Sequence, residues 1–172
     1  MKGIVFDLDM TLVNSSVAAE ARSRRNWHEV YYLIPRFTLY EGLNDVFGFI
    51  RQCGYKVAIV STAPRTYVGR VVRHFAIPCE VIVAYHDAKP IKPDPASMLR
   101  AAELLRFRPQ EIVNFGDRAI DIQAGVAAGM KNVACTWGSS ERENLQKMAQ
   151  AGLCSLIGDA KHIISEIQQT NF

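Results

Sequence analysis

No apolar run in these 172 residues approaches the roughly 20 that a helix needs to cross a bilayer, so a membrane-spanning helix is not expected. Cysteine is sparse. Cys53, Cys79, Cys135 and Cys154 are scattered with no CxxC pair, which argues against a disulfide framework or a zinc site. They read as reduced, mostly buried thiols of a cytoplasmic protein. Charge of one sign is also missing. A formal net charge of +3 suits an anionic substrate but is far too small to indicate nucleic-acid binding. There is no internal repeat and no low-complexity tract, and the chain begins directly on a core strand, which argues against a cleavable signal peptide. What remains is a chain with 49% hydrophobic residues, enough for one domain with a real core over residues 1–172.

That hydrophobic content is ordered as alternating strands and helices, the pattern of an α/β fold with a parallel sheet. Strands are expected at 3–6, 56–60, 81–85, 112–115 and 132–136, five main strands, with a short sixth at 155–157. Most are nearly continuous apolar runs, as strands covered by helices on both faces should be. Helical spacing follows in Leu43, Val46, Phe47 and Ile50, stopped at Gly54, and in Val68, Val71, Val72 and Phe75. Asp94-Pro95 reads as an N-cap and first helical residue ahead of Met98, Leu99, Ala102 and Leu105. Ile122, Val126 and Met130 mark a helix near Gly129. Ser140 with Glu143 reads as a capping box for a helix closed by Gly152, and Asp159 caps the last helix.

Ligands of an open parallel sheet bind beyond the carboxyl ends of its strands, so the polar residues there carry the functional signal. The first strand ends in Asp7-Leu8-Asp9-Met10-Thr11. Alternation along a strand puts Asp7 and Asp9 on one face, where two like charges need a cation or a proton. The second strand delivers Ser61 and Thr62. The loop after the third carries Lys89 and, in Lys92-Pro93-Asp94-Pro95, Lys92; the Lys-Pro context favours Lys92. The fourth delivers Gly116-Asp117-Arg118-Ala119-Ile120-Asp121. A carboxylate pair, a hydroxyl, a cation and a second carboxylate pair are the components of a metal-dependent phosphoryl site.

Taken together, Asp7-x-Asp9-x-Thr11, Ser61, Lys92-Pro93 and Gly116-Asp117-x-x-x-Asp121 resemble the four motifs of the haloacid-dehalogenase-like hydrolase superfamily, in that family's order and over nearly the whole chain. Lys92–Pro95, Gly125–Met130 and Thr136-Trp137-Gly138 resemble its phosphoglycolate-phosphatase-like branch. The resemblance implies a three-layer Rossmann-like fold, Mg²⁺ as cofactor and a phosphatase working through an aspartyl-phosphate intermediate. It makes Asp7 the nucleophile and Asp9 the general acid and base. Asp7, the Asp9 backbone carbonyl and Asp117 would ligate Mg²⁺, with Asp121 reaching metal-bound water. Ser61, Thr62, Thr11 and Lys92 would hold the phosphoryl group, Lys92 also offsetting charge on Asp7.

One stretch departs from the branch. Residues 14–41 form a detour beside the aspartates, too short for a separate helical cap domain and partly helical around Trp27, Val30, Tyr31 and Ile34. Trp27 and Tyr31 read as packing, and Arg22, Arg24 and Arg25 as the wet face of a helix. A minimal cap leaves two arrangements. In one, an open site accepts a bulky substrate such as a phosphoprotein instead of a small molecule; in the other, a homo-oligomer supplies the lid from a neighbouring subunit. A phosphomutase and a phosphate-sensing module with a vestigial site are the competing functions.

Overall fold

The computed structural model describes residues 3–169. Six strands form one parallel sheet: β1 (Gly3–Phe6), β4 (Lys56–Val60), β5 (Val81–Val83), β6 (Ile112–Gly116), β7 (Lys131–Cys135) and β8 (Ser155–Ile157). Their spatial order is β5-β4-β1-β6-β7-β8. From β1 the chain builds outward on one side through β4 and β5, then returns to the other side of β1 for β6, β7 and β8. The three central strands are in register, with Val5 opposite Ala58 on one side and Asn114 on the other. Their carboxyl ends therefore lie side by side. The parallel α/β architecture expected from the sequence is present, with β8 as the short sixth strand.

Side-chain alternation divides the interior in two. Ile4 and Phe6 of β1, with Val57, Ile59, Val113 and Phe115, face a large cluster built with α3 (Leu43–Cys53), α4 (Arg65–His74) and α8 (His162–Gln169). Val5, Ala58 and Val60 face the opposite layer, made by α5 (Ala96–Leu105) and α6 (Ala119–Ala127). Both faces of the sheet are covered, which explains the unbroken apolar runs.

The segment at 14–41 is entered and left through a two-stranded antiparallel ribbon, β2 (Val13–Asn14) with β3 (Thr38–Leu39). Between them lie α1 (Ala19–Ser23) and α2 (Trp27–Leu33), flanked by short 3-10 turns. Its apolar residues Ala18, Ala21, Val30, Leu33, Ile34 and Phe37 are buried in the same cluster as Phe6 and Phe115. It is seated on the core rather than suspended above it.

Three local expectations are corrected. β5 stops at Val83 rather than Tyr85, because the Ala84 N–H donates to Asp87 Oδ2 at 2.7 Å instead of continuing the ladder. No capping box forms at Ser140. Helix α7 (Arg142–Gln150) starts later, and it is Ser139 Oγ that accepts the Glu141 N–H at 2.9 Å. Asp94 Oδ1 accepts the Ala96 N–H at 2.9 Å, but it is Pro95, not Asp94, that holds the N-cap position, one residue before α5 begins. A fourth expectation, that the thiols are mostly buried, fails as well: only Cys135 is buried, Cys79 and Cys154 are half-buried and Cys53 is exposed, all four free.

Candidate active site

Asp7 follows β1, Ser61 follows β4 and Asp117 follows β6, so three neighbouring strand ends deliver a carboxylate, a hydroxyl and a second carboxylate to one place. The Asp7 N–H is bonded to the Phe115 carbonyl at 2.9 Å, extending the sheet by one residue and fixing where the side chain departs. Lys92 reaches the same point from the loop between β5 and α5, with its side chain only 1% exposed. Its Nζ donates to Asp7 Oδ1 at 2.7 Å and to the Val60 carbonyl at 2.9 Å, and lies 2.6 Å from Asp121 Oδ1. Lys89, the other lysine of that loop, instead lies over the Tyr85 ring, 5.9 Å from its centroid.

Asp121 stands in the first turn of α6. Its Oδ2 accepts the Arg118 N–H at 3.0 Å, the helix-capping bond that a carboxylate makes there. Glycine at 116 is required by this approach, since a Cβ there would come within 2.4 Å of the Asp121 Cβ. Asp121 Oδ1 is buried against the Lys92 ammonium, 2.6 Å away. Thr11 is fully buried. Its Oγ1 donates to Asp117 Oδ1 at 2.8 Å, so in this structure it holds a carboxylate and does not line the cleft.

Asp7, Asp117 and Asp121 are all buried and present carboxylate oxygens within 4.8 Å of one another. The electrostatic cost is evident. Burial, reinforced by Asp121, raises the Asp7 carboxyl to about 6 even with Lys92 beside it. Burial together with repulsion from Asp7 and Asp121 raises Asp117 to about 8. A group of three acids with one lysine carries an excess of negative charge. An all-oxygen donor set of three carboxylates within 4.8 Å of one another, with that excess of negative charge, fits a small hard dication such as Mg²⁺.

Asp9 is held differently. Its carboxylate turns towards the 14–41 segment, where Arg22 ion-pairs with it and Ser15 Oγ and the Tyr67 hydroxyl donate to it. Arg22 is therefore not part of a wet helix face as its neighbours suggested. Arg24 does behave so, pairing with Glu20 on the surface. Tyr67 has no counterpart among the residues singled out from sequence. It lies on the inward face of α4 four residues before Val71, and a buried phenol requires a partner for its hydroxyl. That was the available signal. Trp27 packs on Tyr67 with ring centroids 5.7 Å apart, as expected of a packing residue, and it also borders the cleft.

The cleft above these groups has a volume of about 510 Å³. Asp7, Asp117, Ser61 and Thr62 form its floor; Asp9, Arg22, Arg25 and Trp27 form one wall, and Arg118, Gly138 and Ser140 the other. Ser61 Oγ accepts the Ala63 N–H at 3.1 Å, which orients its hydroxyl at the floor. The loop after β7 closes the arrangement. Trp137 Nε1 donates to the Thr11 carbonyl at 2.9 Å, and Gly138 packs so tightly that a Cβ would come within 2.0 Å of the Met10 carbonyl oxygen.

A parallel sheet with a buried carboxylate–lysine centre at its central strand ends defines the chain as a Rossmann-like α/β domain of the kind that does its chemistry at the switch point of the sheet. Comparison with known proteins narrows this. The sequence profile of haloacid dehalogenase-like hydrolases matches residues 20–135, and the chain belongs to that family. A pyrophosphatase, PpaX, from Bacillus mycoides is 30% identical over 132 residues, covering 76% of this chain and 60% of that protein. The chain thus spans about 60% of the length of the curated relatives it matches. Among solved structures, a predicted phosphoglycolate phosphatase from Haemophilus somnus superposes with a TM-score of 0.76 at 20% identity, over 98% of each chain. A HAD-superfamily hydrolase from Ehrlichia chaffeensis gives 0.72 at 18% identity, over 99% of this chain and 98% of the other. At these identities the structural likeness speaks for the fold. Among the described residues, no helix is long and apolar enough to cross a membrane.

Proposed function

We propose that the chain is a Mg²⁺-dependent phosphatase that hydrolyses the phosphate monoester of a small anionic molecule through an aspartyl-phosphate on Asp7. The observation that carries this reading is the buried meeting of Asp7, Asp117, Asp121 and Lys92 at the floor of a cleft that also presents Ser61 and Asp9. Asp7 is the nucleophile, and Lys92 holds its Oδ1 so that the carboxylate cannot turn away from an incoming phosphorus. Ser61 and Thr62 lie where phosphoryl oxygens would rest. Asp9 lines the same cleft, placed to give a proton to the leaving oxygen and to take one from water afterwards. Asp7, the Asp9 carbonyl and Asp117, with Asp121 beside them, would hold Mg²⁺. When bound, the ion offsets the charge gathered on the phosphoryl group and the carboxylates around it.

The segment at 14–41 serves in this reading as a minimal cap within a single core domain. Arg22, Arg25 and Trp27 in the lining support a wall supplied by the same chain rather than by a neighbouring subunit. A cavity of about 510 Å³ with Arg25 and Arg118 in its lining favours a small anionic phosphate ester over a phosphoprotein. The name of the PpaX relatives adds inorganic pyrophosphate to the substrates worth testing.

The test is a turnover panel with Mg²⁺ over an aryl phosphate, sugar phosphates, nucleotides, phosphoglycolate, pyrophosphate and phosphopeptides. At least one small ester or pyrophosphate is expected to be hydrolysed. Chelation should silence the activity, and Asp7→Asn should lower it roughly 10³-fold or more with the fold intact. Silence across the panel, or full activity in chelator, refutes the reading.

A further inference from the structure

The Asp9 side chain offers two oxygens, and every hydrogen bond and ion pair made to it among the described residues falls on one of them. Ser15 Oγ and the Tyr67 hydroxyl donate to Oδ1, and the Arg22 guanidinium pairs with that same atom. The three holders also brace one another. Arg22 Nη1 donates to Ser15 Oγ at 2.7 Å and to the Tyr67 hydroxyl oxygen at 3.4 Å, while Nη2 reaches the Ser15 carbonyl at 3.5 Å. Tyr67 is fully buried, gripped by the rings of Trp27 and Phe37 with centroids 5.7 and 6.4 Å away. Ser15, Arg22, Trp27 and Phe37 all belong to the 14–41 segment. Asp9 itself keeps 20% of its side chain exposed, in the cleft.

We infer that Ser15, Arg22 and Tyr67 are positioning residues that clamp Asp9 by Oδ1 and reserve Oδ2 for proton transfer, making the short insertion a fixed bracket for the acid–base group. The inference rests on the phosphatase reading and assigns to the insertion a task within it. In the first step an Asp7 oxygen bonds to phosphorus as the bond from phosphorus to the leaving oxygen breaks, and the proton on Asp9 Oδ2 passes to that oxygen. Asp9 is then a carboxylate against Arg22. In the second step water bonds to phosphorus, its proton goes to Oδ2, the bond to Asp7 breaks and phosphate is released, which restores the starting state. A carboxyl group free to rotate would exchange its two oxygens and lose the alignment that both transfers need. Three donors on one oxygen remove that freedom.

Proton donation matters most when the leaving group is a poor one, and this separates a positioning role from a structural or phosphate-binding role. Tyr67→Phe keeps the ring and removes only the hydroxyl; Arg22→Met removes the charge. Each is compared with the unmodified protein, in Mg²⁺, on an aryl phosphate with a good leaving group and on an alkyl phosphate such as glycerol phosphate. Both variants should lose roughly ten- to hundredfold in kcat on the alkyl ester and about threefold or less on the aryl ester, with KM moving by less than about twofold. Arg22→Lys should recover part of the alkyl activity. Equal losses on the two esters overturn the inference, and so does a raised KM with kcat intact, which would make Arg22 a phosphate ligand. If Arg22→Met fails to fold, Tyr67→Phe decides alone. Aryl phosphate turnover that Asp7→Asn abolishes keeps the phosphatase reading standing whatever the bracket variants do. An unmodified protein inert on both esters overturns reading and inference together. Activity on the aryl ester alone overturns the inference only, since a placed acid must serve the alkyl group.

Discussion

Asp7 and Asp9 are two residues apart, yet different parts of the molecule hold them. Asp7 belongs to the sheet. It follows β1, its N–H continues the ladder to Phe115, and its cationic partner Lys92 is buried with it, the two side chains 6% and 1% exposed. Asp9 is held from the insertion and from Tyr67 of α4, and its partner Arg22 shares a wetter setting in which both side chains are 20% exposed. The two pairs have the same formal charges and different energetics. A dry ion pair leaves a large penalty behind when one member is removed, whereas a partly hydrated one lets water take the vacated place. The dry half suits a nucleophile that must not move. The wetter half suits a group that exchanges protons with substrate and solvent.

This contrast can be broken experimentally, and the largest effect is expected at Lys92. Lys92→Met takes from Asp7 its bonded cation and leaves Asp121 only Arg118, 4.0 Å away, and equilibrium urea unfolding should show a loss of about 3–5 kcal/mol in the absence of metal. A loss below about 1 kcal/mol would mean that the carboxylates are not held charged at neutral pH.

A smaller effect is expected from pH. The Asp7 carboxyl is raised to about 6 and that of Asp117 to about 8, so the folded protein binds protons that the unfolded chain has already released. Stability without metal should therefore rise as pH falls from about 8 towards about 4, on the order of a few kcal/mol in all, and level off once both states are protonated. In the proposed reading Mg²⁺ competes with those protons for the same oxygens. The increase in melting temperature it causes should be larger at pH 8 than at pH 5.5, and a shift independent of pH would place the ion elsewhere.

The smallest effect is expected at the Asp9 end. Arg22→Met should cost about 1 kcal/mol or less in urea unfolding, because its pair is partly hydrated. A cost equal to that of Lys92→Met would erase the distinction between the two halves.

The same division runs through what could be read from the sequence. Asp7, Ser61 and Asp117 were legible because each terminates a short apolar run, and parallel strands bring such ends together without further information. Lys92 was separable from Lys89 by its Lys-Pro context, and the structure gives the physical content of that choice: Lys92 is the lysine that reaches Asp7. The Asp9 half was not legible. Its bracket joins Ser15, Arg22 and Tyr67, and the last lies 58 positions from Asp9 with no pattern linking them. Arg22 was concealed among Arg24 and Arg25, with no local pattern to set it apart from them. The Ser140 capping box fails because α7 starts only at Arg142, with Glu141 at the N-cap and its carboxylate accepting the Ala119 N–H. Local rules do not anticipate a tertiary claim on a capping residue.

Trp137 and Gly138 carry one more consequence. They lock the turn bearing Asp7 and Asp9 from a position 126 residues further along, through the bond to the Thr11 carbonyl and the close approach to Met10. A ribosome releases the aspartates early and this latch late. The turn made first is completed last, once β7 and the residues after it have emerged and docked.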